Sequence, residues 1–118
     1  MHRRDPRLVF LLPMMITLIG GACTKTPAGP ESKAAEGRKA YVINCASCHN
    51  MNPALDGSIG PAIAGSSRAL IEARVLHQAY PPGYTPRRTT HLMRAMPWLA
   101  PTIDDLMAFL ADTKQKQK

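Results

Sequence analysis

Cys45-Ala46-Ser47-Cys48-His49 constrains this chain more than any other stretch of its 118 residues. On a helix, two thiols three positions apart lie about one turn from each other, and here a histidine follows at once. Four chemistries use such an arrangement. A thiol–disulfide redox pair needs a thioredoxin-like βαβ setting, and no strand-like alternation flanks the motif. A zinc site could recruit Cys45, Cys48 and two of His49, His77 and His91, although zinc modules of that kind are mostly intracellular. A disulfide inside one helical turn would be strained and would close a very small loop. In the fourth, each thiol adds across one vinyl group of a haem, and the histidine supplies the proximal nitrogen of the iron.

The leader favours the fourth chemistry. Arg3, Arg4 and Arg7 precede an apolar run, Leu8 to Ile19, that is interrupted by Pro13 and too short for a permanent transmembrane helix. Residues 1–22 therefore read as an export signal, of the Sec type because Asp5-Pro6-Arg7 does not fit the twin-arginine pattern. Gly20-Gly21-Ala22-Cys23 resembles the bacterial lipoprotein signal, in which Cys23 would become the lipid-bearing first residue. Gly20 stands where that pattern usually has leucine, and plain cleavage near Ala22 is the alternative. Residues 23–33, with Pro27, Gly29 and Pro30, read as a tether. The expected location is the bacterial periplasm, on a membrane through the N-terminal lipid.

Charge excludes one class of partner. The chain carries a net +7, but the excess sits in the leader, the tether and the basic tail, 114–118. Residues 34–113 hold seven cations and six anions, so the folded body lacks the basic face of a nucleic-acid domain. A body of that size buries too little surface to be stable easily on its own. With only Tyr41, Tyr80, Tyr84, Trp98 and Phe109 as aromatics, a large apolar cofactor would supply the missing core.

The remaining pattern is helical. Ser32 is positioned to cap a helix running to about Cys48, in which Gly37 is unfavourable unless another element approaches closely there. Residues 50–65 are a Pro/Gly-rich loop. A second helix is expected from Ser66 or Ser67 to about Gln78, ended by Pro81-Pro82-Gly83. A third, short helix is expected over 88–94. Thr102 is expected to cap a final helix, with Asp104 and Asp105 at its positive end and Ile103, Leu106, Met107 and Leu110 at helical spacing. The expected fold class is all-α, with three to five helices around one haem.

In the order Cys45-Ala46-Ser47-Cys48-His49, Gly60-Pro61, mid-chain helix, Met96-Pro97 and terminal helix, residues 34–113 resemble a class I monohaem cytochrome c. The first motif is specific; Gly-Pro and Met-Pro gain weight only from their order. Asn50 stands where the family usually has glycine. The resemblance implies one covalently attached haem c, with His49 and Met96 as iron ligands. It also implies that the Pro61 carbonyl accepts the ring N–H of His49. Trp98, Arg87, Arg88 and Arg94 surround the methionine segment and are candidates to hold the haem carboxylates. Independently of the family, Met51 follows His49 too closely to reach the opposite face of the ring and Met107 lies on a core stripe. Met96, Met93, His77 and His91 then remain for the sixth position.

Two protein ligands would leave no open coordination site, and no catalytic constellation or nucleotide loop accompanies the motif. The expectation is a non-enzymatic, monomeric electron carrier that exchanges electrons with a redox donor and a redox acceptor. The alternatives are a haem subunit dedicated to one dehydrogenase or reductase, and a gas-binding or peroxidatic haem protein.

Overall fold

The computed structural model describes residues 31–117; the leader, Cys23 and the tether up to residue 30 lie outside them. Ser32 is extended, and its Oγ accepts the Ala35 N–H at 3.2 Å. This cap starts α1, Lys33–Asn44, so the helix takes in the residue at which the tether was expected to end. The helical path breaks at Cys45 (φ −123°, ψ −37°) and resumes as α2, Ala46–His49. The Cys45 carbonyl accepts the amides of Cys48 and His49, at 3.2 and 3.0 Å. The expected single helix is therefore two, jointed at the first cysteine.

α3, Arg68–His77, begins at Ser67, whose Oγ accepts the Leu70 N–H at 3.3 Å. It ends at Gln78 in the left-handed region (φ 55°, ψ 26°), and it buries Ile71 and Val75. A 3-10 helix, Pro97–Thr102, leads directly into α4, Ile103–Gln115. This changes the expected role of Thr102, whose hydroxyl donates back to the Leu99 carbonyl at 2.9 Å and makes no side-chain cap. Lys114 and Gln115 extend α4 past the boundary expected at 113.

α1 and α4 form the main packed pair. Gly37 answers the condition set by the sequence: a Cβ there would lie 1.8 Å from the Asp105 carbonyl oxygen, so the two backbones touch. Tyr41, one turn on, is fully buried, with its ring 5.3 Å from that of Phe109. Around them pack Ile103, Leu106 and Leu110 of α4, Ile71 and Val75 of α3, and Leu99. Burying each large aliphatic chain contributes about 1.5–3 kcal/mol.

Residues 79–96 form a strap with no helix, which corrects the expectation for 88–94. Arg87, Arg88, Thr90, Leu92, Met93 and Arg94 all line one cavity. Successive residues of a helix point in directions 100° apart, so a helix could not turn so many neighbours to one side. No strand occurs among the described residues, and the all-α class stands. No helix among them is long and apolar enough to cross a membrane.

Candidate cofactor site

The cysteine–histidine motif lies on the wall of a cavity of about 540 Å³, within the size range of small-molecule and cofactor pockets. The wall is mainly apolar. Ile59, Ile63, Leu70, Leu106 and Leu110 contribute to it alongside Cys45, Cys48 and His49.

His49 is buried and held from several directions. Its carbonyl and that of Asn50 accept from the Tyr41 hydroxyl, at 3.3 and 2.7 Å. Gly60 lies flat against the imidazole: a Cβ there would be 2.4 Å from Cε1. Nδ1 is 2.8 Å from the Pro61 carbonyl. A carbonyl only accepts, so Nδ1 carries the proton and Nε2 keeps the lone pair that can bind a metal. The turn is built for this. The Cys48 carbonyl accepts the amides of Ile59 and Gly60, at 3.3 and 2.9 Å, and the Pro53 carbonyl accepts those of Ile63 and Ala64, at 2.7 and 2.9 Å.

The environment of Cys45 bears on the competing chemistries. Burial pushes its thiol up to about 11, and the charge on Cys48 adds to the shift. A redox nucleophile needs the opposite, a thiolate available near neutral pH. Burial also raises the Tyr41 phenol, with Cys45 as a lesser cause, so it stays a neutral donor to the His49 and Asn50 carbonyls. The zinc set does not assemble: His77 and His91 are exposed and outside the cavity, and no group of three metal-binding side chains occurs among the described residues.

Among the sixth-ligand candidates, Met93 and Met96 line the cavity, whereas His77 and His91 do not. Met51 is exposed, and Met107 packs on the core away from the cavity. Met96 is the better anchored of the two methionines, because its amide donates to the Val75 carbonyl at 2.6 Å. Pro61 and Trp98 both contribute to the wall, Trp98 at the rim with 66% of its surface exposed.

The arginines divide. Arg88 pairs with Asp56 at 3.2 Å, and Arg87 donates to the Ala62 carbonyl at 3.2 Å. Arg94 lines the cavity, as does Arg74, whose guanidinium sits 4.4 Å over the Tyr80 ring; Tyr80 in turn stacks on Tyr84 at 5.4 Å. Four arginines and no carboxylate line the cavity, which suits a ligand that is apolar in its body and anionic at its edge. Sequence reasoning missed Arg74, Tyr80 and Tyr84. The available signal was Arg74 itself, a charge in helical register with the buried positions Ile71 and Val75.

A haem fits these residues: two thiols, a histidine whose Nδ1 faces a carbonyl, a methionine, an apolar wall and several arginines share one cavity. Comparison with protein-family models, with curated proteins and with solved structures gave no match.

Proposed function

We propose that this chain is a class I monohaem cytochrome c acting as a periplasm-facing electron carrier. The reading rests on one observation: His49, with Nδ1 committed to the Pro61 carbonyl, shares an apolar cavity with Cys45, Cys48 and Met96. Bound there, haem supplies a one-electron Fe(II)/Fe(III) couple.

The chain's own residues do the rest. Cys45 and Cys48 would hold the group through thioethers, His49 and Met96 would be its two iron ligands, and the aliphatic wall would keep water away. With both ligands supplied by the chain, no site would be left for a substrate, which makes redox proteins the partners in this reading. Cys23 is the lipid attachment site that keeps the carrier at the membrane.

Expression through an export and haem-maturation pathway, followed by fractionation and a haem stain on a denaturing gel, tests the whole reading. The wild-type band is expected in the membrane fraction. Cys23→Ser should move it to the soluble fraction, and Cys45→Ser with Cys48→Ser should abolish it. A stained band that survives in the double variant overturns covalent attachment.

A further inference from the structure

Asp56 takes no part in the cavity wall, yet it touches three segments around His49. Its Oδ1 accepts the Ala62 N–H at 2.7 Å and its Oδ2 pairs with Arg88 of the strap at 3.2 Å. Its main-chain carbonyl accepts Asn50 Nδ2 at 3.2 Å, and Asn50 is the residue directly after His49.

The Ala62 N–H and the Pro61 carbonyl are the two ends of one peptide group. That group is planar and rigid, with its N–H and C=O pointing in opposite directions. One end donates to the Asp56 carboxylate while the other accepts from His49 Nδ1. A charged acceptor on the N–H polarises the peptide and makes its oxygen a stronger acceptor. Accepting more strongly from Nδ1 raises the basicity of Nε2, the nitrogen left for a metal. The same contact holds the plane of this peptide against rotation, while Arg87 tethers the following peptide through the Ala62 carbonyl.

We infer that Asp56 is a positioning residue for His49, acting through the Pro61–Ala62 peptide to strengthen the Nδ1 hydrogen bond and lower the reduction potential of the site. Arg88, on the second carboxylate oxygen, opposes it by drawing charge away from the Ala62 N–H. The inference rests on the haem reading for its redox consequence; the hydrogen-bond relay stands on the contacts above.

The test uses the mature haem protein, with midpoint potential and the NMR signal of the His49 Nδ1 proton in the reduced state as readouts. Asp56→Asn and Asp56→Ala should raise the potential, move the Nδ1 proton upfield and speed its exchange with solvent roughly three- to tenfold, the factor that one hydrogen bond of ordinary strength corresponds to. Arg88→Gln should lower the potential and leave exchange no faster. Asp56→Glu should recover part of the wild-type signal. Removing a charge near the iron moves the potential without touching His49, so a shifted potential with an unaltered Nδ1 signal in both Asp56 variants overturns the inference. If the wild-type protein carries no covalent haem, the haem reading falls, and the redox consequence falls with it. If haem is present and neither readout moves, the inference alone fails.

Discussion

The two sides of the cavity are built by different means. On the side of His49, many main-chain groups from Cys45 to Ala64 find a partner close by in the chain. The Cys48 and Pro53 carbonyls each accept two amides. The strap 79–96, by contrast, has among the described residues no backbone–backbone hydrogen bond between the Tyr84 amide, which donates to Pro81, and the Met96 amide, which donates to Val75. Between those points it is held by side chains, chiefly Arg87 and Arg88, and partly exposed ion pairs of that kind contribute little. One wall is preformed by local structure, and the other is a cover with a firm hinge at Met96. Opening free energies follow this density of contacts, so the cover belongs to the least stable part of the molecule.

Breaking the preformed side should have the largest effect. Gly60→Ala puts a methyl group into the His49 ring, and neither the ring nor the turn can retreat without losing the Pro61 bond. A destabilisation on the order of 3 kcal/mol is expected in thermal unfolding. The cover responds differently. Met96→Ala should cost only about 1–2 kcal/mol, because the side chain is half-buried, yet on the proposed reading it should open the haem-loaded form to carbon monoxide. Met93→Ala should not, and rapid carbon monoxide binding by the wild type would contradict ligation by Met96.

Hydrogen exchange would sharpen the contrast directly. The strap amides of 85–95 should exchange at least about a hundredfold faster than those of Gly60, Ile63 and Ala64; equal rates would remove the distinction between wall and cover. The smallest effect belongs to the outer clamp between α3 and α4. Arg68 hydrogen-bonds Asp104 and holds its carboxyl below the ordinary value of 3.8. A depressed carboxyl adds stability above its unfolded pKa and loses it as pH falls through the folded value. The difference in melting temperature between wild type and Asp104→Asn should thus be small near neutrality and vanish in strong acid.

Features that depend on one residue and its near neighbours were legible in the sequence. Ser32 caps the helix it was expected to cap, Ser67 is one of the two residues at which the second helix was expected to start, and Gly37 marks a close approach by another helix. Gly60-Pro61 sits under the histidine as the resemblance implied. The strap was misread because a few apolar residues between prolines look like a short helix when nothing shows that all of them turn to one cavity. Thr102 was misread because the preceding 3-10 turn takes its hydroxyl. Asp56 carries no periodic or motif signal at all. Its importance comes from facing the back of one particular peptide group, and that orientation exists only once the loop has closed.

The contact between Gly37 and the Asp105 backbone also sets an order of events. The two helices that grip each other lie near opposite ends of the described chain, so this grip forms only after almost all of that chain is present. Such distant closures are slow compared with local turns. Until α4 docks, Tyr41 has no Phe109 to rest on, and the helix leading into Cys45 lacks its main packing partner. A chain delivered N-terminus first therefore passes through an interval in which Cys45 and Cys48 are present before the core beside them is assembled, and the late arrival of α4 ends it.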